Sequence, residues 1–468
     1  MKLLYKTKRY YAVIALLLAS TAIAFYIGKS RTVRQNKAVK VTVLENGFTV
    51  MTSSVDNTDT AVAAVVFKVG SSDENADNNG ISHLLEHMSF KGTKNHDVTD
   101  IAKIVDRLGG RQNAWTSTNH TVYHINGLKE DIEEYVSLLA DMTQNSTFPD
   151  KELAKERGVI KQEIKRYKDD PWMHFFITAR SKFFTDNSPA KMFALGNAEN
   201  IDKINSSDLS ARAKEFHRPN NGALIIFGDI KHSEAVSMAK KYFNSMGPAK
   251  EKPAISENVY QPILMLEEKK DLQQMHVGLI FNTQGAQEDI EGSMLRSIGS
   301  KILSGKRMSG AVFREIREKR GLSYQTEAGY DAMPEMGLFW ILADCSMDRL
   351  DELYDAFLAI LNHAVYGISD EEVAMQIRYT KVQNAKVRSQ SRLRLRSTVN
   401  DWILYDDPNA SQIYNNLVNK ITAQQVREEM KNLIQNAQPS IAILGNYNGK
   451  KHEVEKLSKE LIEKIAKI

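Results

Sequence analysis

The sequence predicts an α+β protein of two homologous domains, each a mainly antiparallel sheet with helices packed on it, behind an N-terminal apolar helix for export or anchoring. Three observations carry this expectation. The chain has 468 residues, about three times the usual single-domain length. Two apolar stretches near the ends of its halves read alike, Ala223-Leu-Ile-Ile-Phe-Gly-Asp229 and Ile441-Ala-Ile-Leu-Gly-Asn446. The extreme N-terminus carries a separate uncharged run behind a basic segment.

The repeat has a measurable offset. Each of the two stretches is a strand closed by Gly and Asp or Asn, followed by an amphipathic helix, Ser233 to Tyr242 and Lys451 to Leu461. Their glycines, Gly228 and Gly445, stand 217 residues apart. Ala61 to Phe67, then Val69-Gly70, resembles His276 to Phe281 with its Gly285 turn, at a spacing near 214. Residues 1–38 therefore read as a leader, 39–246 and 263–468 as two copies of one domain, and 247–262, rich in Pro and charge, as their linker. Strands at Val39 to Thr52 and Ala61 to Val69 precede helical patterns, which favours helices on an antiparallel sheet.

Composition narrows the function. The apolar fraction is 42% and the charged fraction 26%, close to the averages of folded soluble domains. Residues 1–40 hold nine Lys or Arg and no acid, so removing them from the formal +4 leaves −5 on the remainder. A mildly acidic body gives no electrostatic case for nucleic-acid binding. Cys345 is the single cysteine, which excludes an internal disulfide and leaves any metal to His and carboxylates. Lying in an apolar, strand-like run, it reads as a packed core residue.

Tyr10 to Ile27 is an apolar stretch of 18 behind Lys2, Lys6, Lys8 and Arg9, with Ala22-Ile23-Ala24 as a small-x-small cleavage site. Cleavage and retention as a single anchor both fit, because 18 residues is near the lower limit of a spanning helix. Either fate puts the globular part outside the cytoplasmic membrane, in a bacterial periplasm.

The chemistry concentrates at His83-Leu-Leu-Glu-His87. On a helix that Ser82 would cap, His83 and His87 project from one face and reach one ion, while Leu84, Leu85 and Met88 face the core. Glu86 lies beside that face, placed to take a proton from water. The order is the inverted H-x-x-E-H. A catalytic zinc takes three protein ligands and keeps one open position, so a third ligand comes from elsewhere. On the helical segment Lys151 to Lys168, Glu156 and Glu163 are seven apart and share a face. One would bind metal and the other support a ligand, and the pattern does not say which.

With these residues in view the chain resembles the pitrilysin, insulysin and mitochondrial processing peptidase family over about residues 39–468. The match includes His83 through Thr93, Asn113-Ala-Trp-Thr-Ser117 with Thr121 and Tyr123, and Glu156-Arg157 with Glu163. The resemblance implies zinc as cofactor. It implies Glu163, 76 residues after His87, as third ligand, and Glu156 as the supporting carboxylate. It implies Arg317 and Tyr324, from the second domain, as hydrogen-bond donors at the site, and the strand with Asn113, Ala114 and Thr116 as an edge that grips substrate backbone. Position 83 plus the repeat offset falls at Arg296 to Ser300, without His or Glu, so the second domain carries no metal site of its own.

The expected function is a zinc-dependent endopeptidase acting on extended peptides or unfolded segments, with Glu86 as general base. A non-catalytic or partner subunit of a heterodimeric peptidase is the alternative. Two family-type domains imply a half-length member that works as a dimer, of two copies or with a related chain. His120 and His124 share a strand face and read as ordinary strand residues.

Overall fold

The computed structural model describes residues 38–54, 58–186, 188–247, 257–304, 308–411 and 418–468. The Tyr10 to Ile27 segment and residues 248–256 of the expected linker lie outside them. Among the described residues no helix is long and apolar enough to cross a membrane.

The first half contains strands β1 (Lys40–Val43), β2 (Thr49–Ser54), β3 (Thr60–Phe67), β4 (Arg111–Thr116), β5 (Thr121–Leu128) and β6 (Gly222–Gly228). Its helices are α1 (Ile81–Met88), α2 (Val98–Arg107), α3 (Ile132–Gln144), α4 (Asp150–Asp169), α5 (Pro171–Phe183), α6 (Ala198–Lys203), α7 (Ser206–Phe216) and α8 (His232–Phe243). The second half contributes β7 (Leu264–Glu268), β8 (Met275–Gln284), β9 (Thr326–Ala332), β10 (Met336–Cys345) and β11 (Ser440–Gly445). With them come α9 (Ile290–Leu303), α10 (Leu350–Asn362), α11 (Asp370–Ser389), α12 (Ser391–Tyr405), α13 (Ala423–Asn436) and α14 (Lys451–Ile465).

The two sheets share one topology. The first runs β1-β2-β6-β3-β5-β4 and the second β7-β11-β8-β10-β9. β1 aside, every strand of one has its counterpart in the other, including the β6/β11 and β3/β8 pairs on which the repeat was read. Each sheet is mainly antiparallel, as expected, and each also holds one parallel pair that the expectation did not include: β2 with β6, and β7 with β11. In each half the last strand returns after a long helical excursion, and such crossovers permit parallel pairing. The stretch Val39 to Thr52 is also two strands, because Asn46-Gly47, with Gly47 at φ +90°, turns the chain into a hairpin.

The inner strands β6 and β11 are buried along their whole length because both faces of each sheet are covered. On the first sheet, Ala61, Ala63, Val65 and Phe67 of β3 meet α3 and α8. The opposite residues, Val62, Ala64 and Val66, pack with Leu395, Val399, Trp402 and Ile403 of α12, a helix of the second half. The reciprocal contact covers the second sheet. Phe175, Ala179 and Phe183 of α5 pack on Ile280, Leu342, Ala442 and Leu444. A Cβ at Gly278 would stand 2.8 Å from the Phe175 ring, so glycine there admits the helix. α4 and α11 are both 20 residues long and directly precede the exchanged helices α5 and α12.

Cys345 is buried in β10, where burial first, and nearby carboxylates second, push its thiol up to about 12. It is inert, as the sequence suggests.

The exchange makes unfolding of the two halves interdependent. Leu395→Ala, which empties a site at 0% exposure under the first sheet, is expected to destabilise by about 2–5 kcal/mol. Calorimetry of this variant should show a single transition at lower temperature; two separated transitions in the parent protein would contradict the interdependence.

Candidate metal centre

Helix α1 is eight residues long, too short to hold itself together in water. Its apolar side, Ile81, Leu84, Leu85 and Met88, packs on Leu153, Ile160 and Ile164 of α4 and on Leu209 of α7. Its start is set by a device that the sequence reading missed. Ser82 is not the cap: its hydroxyl lies inside the first turn and donates to Gly70 O. Gly80 takes that place at φ +105°, a conformation that costs glycine little. The buried Glu74 carboxylate accepts from Gly80 N at 2.8 Å and Ser82 N at 2.9 Å. Arg212 closes the cluster with hydrogen bonds to Ser82 Oγ and the Asp73 carbonyl. A carboxylate at a helix N-terminus also meets the positive end of the helix dipole.

Packing α1 against α4 brings three side chains to one point. Ligand atoms of His83, His87 and Glu163 all lie within 4.8 Å of one another. His83 Nε2 stands 3.8 Å from Glu163 Oε2, beyond a hydrogen bond and near the roughly 3.4 Å that separates two ligand atoms on a tetrahedral zinc. Burial first, and His87 second, lower the His83 pKa to about 3, so the imidazole is neutral with a lone pair to give.

Glu156 does what the helical face left undecided. Its Oε2 lies 2.9 Å from His87 Nδ1 and its Oε1 2.8 Å from Lys91 Nζ. Desolvation works against both charges, yet these contacts prevail: the Glu156 carboxyl titrates below its usual range and His87 above its own. A proton held on Nδ1 by Glu156 would leave the Nε2 lone pair of His87 free for a metal ion, the arrangement by which a carboxylate orients a metal-binding histidine.

Glu86 is 8% exposed. Thr116 Oγ1, at the end of β4, donates to its Oε2 at 2.6 Å. Burial raises the carboxyl against the lowering effect of that hydrogen bond, as suits a group that must accept a proton and return it. This contact to Thr116 was not read from the sequence, where Thr116 figured as a substrate contact only.

The remaining candidates fall in two places. Asn113, Ala114 and Thr116 sit on β4, the last strand of its sheet, with one edge unpaired by strand neighbours. Arg317 lies in a turn of π-helix, Phe313–Glu318, with its guanidinium 4.2 Å from the centre of the Tyr324 ring. Tyr324 is 79% exposed. Among the described residues neither shares a hydrogen bond, ion pair or ring contact with His83, Glu86, His87 or Glu163. His120 and His124 stand apart from the three-ligand group; Trp115 Nε1 donates to His120 Nε2 at 3.1 Å. In the second half, the helix at the place of α1 is α9, and its Arg296 is bound by Asp289 at 3.0 Å and Glu429 at 2.5 Å.

Two imidazoles, one carboxylate and no further protein donor in the group match a catalytic zinc, which keeps one coordination position open. The comparisons with known proteins agree with this chemistry. Residues 49–192 match the domain described as Insulinase (Peptidase family M16), and residues 203–379 the Peptidase M16 inactive domain. A Rickettsia felis protein described as an uncharacterized zinc protease is 30% identical over 333 residues, 71% of this chain and 80% of its own. A Bacillus subtilis protein of the same description is 30% identical over 340 residues, 72% of this chain and 81% of its own. Among solved structures, a protease from Helicobacter pylori superposes with a TM-score of 0.80 at 20% identity, covering 88% of this chain and all of that one. A chain of complex III2 from Candida albicans gives 0.77 at 16% identity, over 90% and 99%.

Replacing Glu156 by Gln is expected to weaken zinc binding by roughly 10–100-fold. Competition against a chromophoric chelator measures this, and an unchanged affinity would remove Glu156 from the site.

Proposed function

Because the chain belongs to peptidase family M16, the insulinase family, we propose that it is a zinc-dependent endopeptidase that hydrolyses extended peptides or unfolded segments. The observation that carries this reading is the meeting of His83, His87 and Glu163 within 4.8 Å, with the buried Glu86 beside them.

In this reading His83, His87 and Glu163 hold the ion, and Glu156 fixes the His87 ring. Zinc, when bound, supplies a Lewis acid that makes water more acidic and polarises a carbonyl. Glu86 takes the proton of the attacking water and delivers it to the leaving amine, so one carboxyl serves as base and then as acid. Thr116 steers that carboxyl by holding one of its oxygens. β4, ending at Thr116, offers its free edge to the substrate backbone. Main-chain pairing there grips peptides of many sequences with little demand on side chains.

Arg317 and Tyr324 serve as hydrogen-bond donors toward a substrate carbonyl or developing oxyanion. An exposed, mutually stacked pair with no contact to the metal cluster suits a site completed by a second chain, and a dimer, of two copies or with a related chain, follows as part of the proposal. Placement outside the cytoplasmic membrane rests on the Tyr10 to Ile27 segment of the sequence. The rival reading, a non-catalytic partner subunit, has no use for a buried proton acceptor beside three metal donors.

Glu86→Gln is expected to keep its zinc and lose roughly 10²–10⁴-fold in kcat on an unstructured peptide. A chelator should abolish parent activity and added zinc restore it. A zinc-loaded Glu86→Gln protein as fast as the parent would sink the assignment.

A further inference from the structure

We propose that the β4 edge reads a bound peptide by parity, with acidic side chains favoured at every second position because one face of the added strand meets Arg111, Arg392 and Arg396. The proposal rests on the peptidase reading and specifies its substrate class: extended peptides with Asp or Glu at alternate positions.

The two faces of β4 differ in what they meet. Ala114 packs into the core beneath α3 and α8, and Thr116, of the same parity, reaches Glu86. The even positions therefore face the metal side. Trp115 packs on the opposite side, against the cluster under α12, and shares its face with Asn113 and Arg111. A strand added to the β4 edge lies about 4.8 Å away and continues the pleat. Its side chains must alternate between the metal side and the Trp115 side.

The Trp115 side is basic. α12 is pinned there by Arg394, which hydrogen-bonds Ser53 and stacks on Phe227. Arg392 and Arg396 flank it four residues apart on one helical face, both exposed. The Arg396 guanidinium lies 4.9 Å from the centre of the Trp115 ring. Both arginines bear on His124, whose Cα partner across the ladder is Asn113. Burial, and then these two arginines, lower His124 to about 4, so it stays neutral and adds no charge. Neither of its ring nitrogens has a hydrogen-bond partner among the described residues.

Negative charge is sparse beside these arginines. α12 carries one acid, Asp401, whose carboxylate accepts from the Ser411 backbone N–H and hydroxyl. Among the described residues none of Arg111, Arg392 and Arg396 has a carboxylate partner. A guanidinium presents a planar fork that a carboxylate engages with two hydrogen bonds. An Asp or Glu of a peptide on β4, pointing to this side, supplies the absent partner.

The test is cleavage of an unstructured peptide series in which Asp, Gln or Lys is placed at each position around one scissile bond. The parent protein is expected to favour Asp over Gln by roughly two- to fivefold in kcat/KM at positions of one parity, the range of an exposed ion pair. The preference should shrink as salt is raised. In Arg392→Glu/Arg396→Glu the Asp-to-Lys ratio at those positions should invert, and in Arg392→Gln/Arg396→Gln it should fall toward one. The readout is a ratio within each protein, so a general loss of rate leaves it legible. A parent that cleaves the series with no alternation, or double variants that keep the parental ratio, overturns the proposal. A parent that cleaves no peptide in a zinc-dependent way overturns the peptidase reading beneath it.

Discussion

Every part of the candidate site depends on apolar contact between a helix of eight residues and one of 20. α1 cannot persist alone, and the histidines it carries take a fixed geometry only because Leu84, Leu85 and Met88 lie against Leu153, Ile160 and Ile164. The same contact brings Glu163 opposite His83 and Glu156 opposite His87. Helical spacing makes this economical. Two glutamates seven apart stand two turns along α4 and match two histidines four apart on α1, one as a candidate ligand and one as a hydrogen-bond acceptor. Glu74 and Arg212 lock the other end of α1, so neither the start nor the face of the helix is free to slip.

The site is also tied to the architecture through α4. This helix leads, across Asp170 and Pro171, into α5, which leaves its own half to cover the second sheet. The exchange is reciprocal, since α12 follows α11 and covers the first sheet. Two copies of one fold thus share their outer cores, while their chemistry has parted. Where the first half has an imidazole pair and a carboxylate, the second has Arg296 between Asp289 and Glu429. A buried guanidinium held by two carboxylates fills a polar site with fixed charge and needs no ion.

Much of this was legible in the sequence, for physical reasons that also mark where legibility stops. The β6/β11 and β3/β8 correspondences were readable because strands buried on both faces are uninterrupted apolar runs. The His83/His87 face was readable because i, i+4 spacing fixes direction on any helix. The choice between Glu156 and Glu163 was not, since both share a face, and only the position of α1 along α4 separates ligand from support; there the family resemblance supplied what spacing withheld. The Glu74 cap was missed because it works across six to eight residues of turn, with no periodic signal. The parallel pairs were missed because a strand returning from distant sequence carries no local mark of its direction. The Thr116 to Glu86 contact joins residues 30 apart on different elements and needs the sheet to exist first.

The free edge of β4 has a consequence beyond its proposed grip on substrate. A row of unpaired backbone N–H and C=O groups is an open invitation to a like strand, and proteins with such edges risk joining edge to edge. Two copies meeting through β4 would face Arg111, Arg392 and Arg396 of one against the same three of the other, and like charges set opposite one another repel. The arginine face would thus guard against edge-to-edge joining through β4, while leaving that edge open to a visiting chain of opposite charge.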